Sequence, residues 1–180
     1  QAFVQRGFVR FAYGGVEVGK YLTYHDLVEE IHVTGSERTH DAIVFGTGKE
    51  GAERKARGEV LNERRVTSEL GGVGPTIVVP GPWSPADLAF QAEHVVTQKM
   101  HNGGFNCIAA QVLILPETWD LSKKFLDKIE ETFRKVEPRT PYYPGSEDRV
   151  QGAKNAYPQS ISGLDPGSKQ TRMLIRDVDA

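Results

Sequence analysis

The chain is 180 residues long, 38% apolar and 26% charged, with 22 basic against 24 acidic side chains and a formal charge of −2 at pH 7. That balance describes a soluble globular protein and argues against a surface built for nucleic acid or for acidic membranes. One cysteine cannot close an internal disulfide, and no apolar run approaches the roughly 18 residues of a membrane span, so the expected setting is the cytoplasm, with no nucleic-acid or membrane partner.

Gln1 stands where an initiator methionine would, which leads us to expect a segment from inside a longer chain. "FVRFAYGG" (8–15) reads as a β-run closed by a glycine pair, and "VEVGKYLTYH" (16–25) has helical spacing. "EEIHVTG" (29–35) gives a second short strand entering a turn at Gly35 and Ser36. Strand, helix, strand is the βαβ pattern of a parallel sheet. "GTGKEGAERKARGEVLNERR" (46–65), highly charged with four scattered glycines, predicts a solvated helix and loop. "RVTSELGG" (65–72) and "PTIVVPG" (75–81) are strand-like runs separated by the glycine-rich residues 71–74.

The spacing then predicts a helix over 83–100. Ser84 can cap it, Pro85 suits its first position, and Asp87 lies near the positive end of its dipole. Leu88, Ala92, Val95, Val96 and Met100 form its apolar stripe. "QVLILPE" (111–117) is a nearly continuous apolar run, as expected of a strand buried on both faces. Asp120 is expected to cap the next helix, whose Leu121, Phe125, Ile129 and Phe133 recur every four residues. From Glu137 the texture changes: "EPRTPYYPGSEDR" (137–149) reads as a long connection, 146–157 as one more helix, 159–170 as loop and 171–179 as a last strand. The alternation gives an α/β class, a mostly parallel sheet with flanking helices.

A lone cysteine is most often an inert small hydrophobe in a core. Cys107, however, follows "NGGFN" (102–106), where glycine and asparagine let the backbone turn sharply and expose amides. It also lies between a helix and a strand, a junction at which open α/β sheets collect ligands. A thiol there needs a lowered pKa or a nearby base to be nucleophilic. Glu69 in "SELGG" is the candidate base; its plainer reading is a surface carboxylate at a strand end. Flanked by Leu70 and two glycines, it is expected to sit among apolar neighbours, where a carboxylate can serve as a general base near neutrality.

Two glycine elements suit phosphate. "GGVEVG" offers Gly14, Gly15 and Gly19 before a helix, and "VTGS" offers Gly35 and Ser36 at a strand-to-helix junction; free amides and the helix dipole favour an anion at such places. The first is not the full G-x-G-x-x-G pattern. The five histidines show no metal-ligand spacing; His94 and His101 lie seven apart ahead of Cys107.

In order, "GGVEVGKYLTYHDLVEEIHVTGS", "RVTSELGGVGPTIVV" and "NGGFNCIAAQVLILPE" resemble the middle of an NAD(P)-dependent aldehyde dehydrogenase over residues 8–136. That family places a glutamate in an E-L-G-G motif some three dozen residues before a cysteine in an N-x-G-Q-x-C-type motif, and Glu69 and Cys107 keep that spacing. The resemblance implies that residues 1–68 are the C-terminal part of a Rossmann-like NAD(P)-binding domain and 69–180 the N-terminal part of the catalytic domain. It implies Cys107 as nucleophile and Glu69 as activator of water, with NAD or NADP as cofactor and an aldehyde as small-molecule substrate. Gly15, Thr34, Gly35, Ser36, Glu69, Leu70 and Gly71 would then face the cofactor, with Gly35 and Ser36 against the pyrophosphate and Leu70 against the nicotinamide. The amide of Cys107 would supply half of an oxyanion hole, such donors contributing about 2.7–4 kcal/mol each. The parent protein is expected to be a homo-oligomer.

The departures are specific. Phe105 stands where the cysteine motif usually has glutamine, "GSERTH" lacks a glycine usual after T-G-S, and the stretch from Ser36 to Glu69 is longer than usual. The family's second oxyanion donor and its ribose-binding lysine belong to a stretch upstream of Gln1, and the strand that bridges subunits belongs beyond Ala180. The 180 residues alone are therefore expected to show little or no turnover. Two alternatives stand beside this: a CoA-acylating dehydrogenase or acyl reductase, and a non-catalytic binding module.

Overall fold

A computed structural model describes residues 1–137, 139–158, 161–162, 173–176 and 178. The backbone clusters into two units, Gln1–Gly72 and Val73–Ala180.

The first unit opens with a helical turn, α1 (Ala2–Gln5), followed by residues 8–13 without regular structure. This corrects the expected strand over 8–15. A strand exists only through a neighbour that completes its hydrogen bonds; here Phe8, Phe11 and Tyr13 are exposed instead. Helix α2 (Val16–Thr23) begins after Gly15, and β1 (Glu30–Gly35) follows. Ser36 then caps α3 (Glu37–Val44), its side-chain oxygen accepting from the Thr39 amide at 3.1 Å. Helix α4 (Gly48–Arg57) accounts for the charged segment and ends at Gly58, which adopts a left-handed φ of 70°. Strand β2 (Arg65–Leu70) returns parallel to β1. The βαβ unit is thus β1–α3–α4–β2, one element later than the sequence suggested.

Ile31 and Val33 alternate inward from β1 and are buried with Val44. At Gly51 a Cβ would lie 2.2 Å from the Gly46 carbonyl oxygen, so only glycine lets α4 start this close to the preceding loop. Buried Asn62 donates to the Thr23 carbonyl at 3.0 Å, and the Arg64 guanidinium donates to the carbonyls of Val28, His25 and Tyr24. These bonds tie the coil after α2 to the entry of β2.

In the second unit β3 (Gly74–Ile77) pairs parallel with β4 (Ala110–Ile114), and α5 (Pro85–Met100) makes the crossover. The predicted start of α5 is found in full: Ser84 and Asp87 form a reciprocal capping box and Pro85 occupies the first turn. Ser84→Ala is expected to cost about 1 kcal/mol, read as a lower midpoint in urea with unchanged slope. Helix α6 (Ser122–Lys135) follows β4, and α7 (Ser146–Ala156) follows the Pro-rich connection. Residues Ile161–Ser162 (β5) pair antiparallel with Leu174–Ile175 (β6). Met173, Arg176 and Val178 of the expected last strand have no regular structure, and the remaining residues of the expected loop and strand lie outside the described residues.

Leu88, Ala92 and Val96 of α5 meet Phe125, Ile129 and Phe133 of α6 over Val78. Trp83 and Trp119 stack edge-on beside them, and the Trp119 indole donates to the Gly81 carbonyl at 3.1 Å. Two expectations need correction here. Asp120 does not cap α6, whose first flanking residue is Leu121 without a side-chain cap; Ser122 donates instead to the Pro116 carbonyl. Strand β4 is not buried on both faces, for Val112 and Ile114 are exposed. The strand is paired on one side only among the described residues, so its apolar composition exceeds what this sheet covers.

The described architecture is α/β with short, mostly parallel two-stranded sheets.

Candidate active site

The carboxyl ends of β1 and β2 bring six of the predicted residues together. The parallel register sets Thr34 opposite Glu69 and Gly35 opposite Leu70, and the Gly71 amide donates to the Gly35 carbonyl at 3.0 Å. The two motifs, separate in sequence, therefore form one edge. Glu69 is exposed there, which corrects the apolar surroundings expected for it: β2 is flanked by one strand among the described residues, and its burial pattern stays open. Leu70 is likewise exposed.

Ser36 sits where β1 ends and α3 begins. Its hydroxyl engages the Thr39 amide and lies 3.0 Å from the Thr39 hydroxyl. Space next to Gly35 is open, a Cβ meeting nothing nearer than a Val33 methyl at 4.0 Å. The first turn of α3 also carries Glu37, whose charge opposes an anion at the dipole's positive end. Lys55 answers it: its ammonium contacts Glu37 at 2.7 Å and Asp41 at 2.6 Å. The Asp41 carboxyl is held below its ordinary range, first by the hydrogen bond from Lys55, and Lys55 is raised first by the bond to Asp41. Gly15 flanks the N-terminus of α2. An open depression on α2 and the following coil, lined by Glu17, Lys20, Tyr21, Tyr24, His25 and Asp26, contains none of the predicted residues.

Cys107 belongs to the second unit and its thiol is exposed rather than packed in a core. The loop carrying it is built by three successive left-handed residues, Asn102 (φ 53°), Gly103 (φ 66°) and Gly104 (φ 83°). Asn102 is the non-glycine residue with positive φ among those described, a conformation asparagine tolerates better than most. At Gly104 a Cβ would also stand 3.2 Å from the Lys99 carbonyl oxygen, so the turn fits tightly on the end of α5. Burial lowers the pKa of the Lys99 ammonium, which donates to Gln111 at 2.8 Å. His101 flanks the turn, its Nδ1 accepting from the Asn106 amide, and His94 lies 3.1 Å from the Gln98 amide on α5.

The sequence reading left out Lys99, Tyr142 and Tyr143. The tyrosines come from the Pro-rich connection and reach the cysteine loop. The Asn102 amide donates to the Tyr142 hydroxyl at 2.9 Å, and the Phe105 ring lies 4.8 Å from that of Tyr142 and 5.0 Å from that of Tyr143. The available signal was an aromatic pair within a proline-rich stretch, together with an aromatic at 105.

Comparison with known proteins settles the family. The model of the aldehyde dehydrogenase family matches residues 1–149. The chain belongs to the aldehyde dehydrogenase family. A D-glyceraldehyde dehydrogenase (NADP(+)) of Thermoplasma acidophilum is 31% identical over 137 residues, 76% of this chain and 24% of that protein. An aldehyde dehydrogenase of Enchytraeus buchholzi is 30% identical over 175 residues, 97% of this chain and 32% of that protein. Among solved structures, aldehyde dehydrogenase C of Pseudomonas syringae, in complex with NAD+ and octanal, superposes with a TM-score of 0.64 at 21% identity. That match covers 90% of this chain and 34% of the other. The chain thus spans 24–32% of the length of these two curated aldehyde dehydrogenases.

Proposed function

We propose that this chain carries the nucleophile and the water-activating base of an NAD(P)-dependent oxidation of an aldehyde to a carboxylic acid, within a longer cytoplasmic protein. The observation that carries this reading is the exposed thiol of Cys107 on a turn shaped by Asn102, Gly103 and Gly104, in a chain of the aldehyde dehydrogenase family. Further support comes from the relatives: one is named for NADP(+), and one related structure was solved with NAD+ and an aldehyde.

The β1–α3 edge fits a dinucleotide phosphate. Gly35 leaves the approach open, Ser36 presents a hydroxyl at the N-terminus of α3, and Lys55 offsets the adverse charge of Glu37. When bound, NAD(P)+ supplies a two-electron acceptor for hydride. The chain's own residues do the rest. The Cys107 thiolate adds through sulfur to the aldehyde carbonyl carbon, converting the carbonyl oxygen to an oxyanion that the Cys107 amide stabilises. Loss of hydride from that carbon leaves an acyl thioester on Cys107. Glu69 then accepts a proton from water, the resulting hydroxide adds to the thioester carbonyl, and the C–S bond breaks to release the acid and return the thiolate. Residues 1–68 on this reading belong to the cofactor domain and 69–180 to the thiol domain, with the 180 residues alone inactive and the whole protein a homo-oligomer.

The test is to incubate the intact protein with NAD+ or NADP+ and a panel of aldehydes, with and without coenzyme A. Reduced cofactor and free acid in the absence of coenzyme A are expected. Strict dependence on coenzyme A would transfer the reading to acylating chemistry, and no reduced cofactor with any aldehyde would end both.

A further inference from the structure

We propose that Tyr142 and Tyr143 are positioning residues that lock the nucleophile loop into its left-handed turn; the inference rests on reading Cys107 as the nucleophile. Phe105, Tyr142 and Tyr143 form a three-ring cluster, the two tyrosine rings being 5.0 Å apart. Phe105 occupies the position at which the cysteine motif departs from the glutamine it usually holds, and the cluster gives the aromatic side chain its partners. Asn102, the residue in the costly conformation, is held by its side chain at two points, donating to the Tyr142 hydroxyl at 2.9 Å and to Asn106 Oδ1 at 3.2 Å. Asn106 in turn donates to His101 and immediately precedes Cys107. The far side of the cluster is anchored by buried Ser146, whose hydroxyl donates to the Tyr143 carbonyl at 2.6 Å ahead of α7. A continuous set of contacts thus runs from the start of α7 to the residue beside the thiol.

The tyrosines stay 61% and 53% exposed. Rings that bury so little surface contribute weakly to the core, whereas fixing the turn requires only the contacts just described. Catalysis by a loop-borne nucleophile depends on that fixing, because small displacements from the attack geometry cost rate steeply.

The experiment uses the intact protein and the variant Tyr142→Phe, which removes the hydroxyl while retaining the ring. We expect kcat for aldehyde oxidation to fall roughly tenfold or more, KM to change less than about twofold, and iodoacetamide alkylation of Cys107 at pH 7 to change in rate by about threefold or more, with the melting temperature held within about one degree. Asn102→Gly accepts the left-handed backbone and loses the amide; it should show the same fall, and the double variant should be no worse than either single one. Unchanged kcat and alkylation in both single variants, additive losses, or losses that track the melting temperature would overturn the proposal. Cys107→Ser serves as the reference. If it is inactive while Tyr142→Phe is normal, only the positioning role fails; if it is active, the nucleophile reading fails and this inference with it.

Discussion

Replacing Cys107 with alanine in the intact protein is expected to abolish aldehyde oxidation, lowering kcat/KM on the order of 10⁴-fold or more, with no burst of reduced cofactor. The reason is chemical: in the proposed mechanism hydride leaves only from the tetrahedral carbon that sulfur creates, so without the C–S bond neither half-reaction would begin. Glu69→Gln should fail differently. Acylation does not need a base for water, so one equivalent of reduced cofactor per site should form rapidly, after which turnover slows by about 10²–10⁴-fold while the thioester awaits hydrolysis. A stopped-flow trace of reduced cofactor separates the two. A burst in Cys107→Ala, or full steady-state turnover in Glu69→Gln, would remove the roles assigned to them. The position of Cys107 favours the first outcome, since an exposed thiol on a turn meets the access requirement that a core cysteine cannot.

What the sequence disclosed follows the range of the interactions that decide each element. The start of α5 depends on four consecutive residues: the Ser84 cap, Pro85 in the first turn and Asp87 near the dipole are there as expected, and the structure adds the reciprocal bond of Asp87 to the Ser84 amide. The stripe of Phe125, Ile129 and Phe133 needs only helical periodicity, and all three are buried. Strands depend on partners far away in sequence. The β-rich residues 8–15 have no strand partner among the described residues and lack regular structure, and the apolar β4 is covered on less surface than its composition suggested. Helix α3 is signalled only by the strand-to-helix junction at Gly35 and Ser36, and its extent is not legible, because Glu37, Arg38, His40 and Asp41 give it little apolar periodicity. At the site, the motifs disclosed the residues but not their neighbours. The pairing of Thr34 with Glu69 requires the β1–β2 register, and the reach of Tyr142 to Asn102 spans 40 positions of chain, which no local pattern encodes.

Phe125→Ala is expected to give the largest stability loss, about 3–5 kcal/mol, measured by urea denaturation of the intact protein. Phe125 has no exposed surface and lies at the meeting of α5 and α6. Its ring stands edge-on to Trp83 at 5.3 Å and to Trp119 at 6.2 Å, contacts that add about 0.5–1.5 kcal/mol each beyond burial. The two indoles cannot close the resulting space easily, for Trp119 is held by its bond to the Gly81 carbonyl and each is packed on the other at 4.8 Å. A cavity should remain, and the loss is large against a total stability of about 5–15 kcal/mol. Ile129→Val, one methyl group removed in the same cluster, should cost only about 0.5–1.5 kcal/mol, and Lys123→Ala on the exposed face close to nothing. A Phe125→Ala cost below about 1 kcal/mol would mean that α6 does not form the floor of this unit. The cysteine loop would feel the change as well, because it is strung between α5 and β4 and the core beneath α5 is what holds its first anchor still.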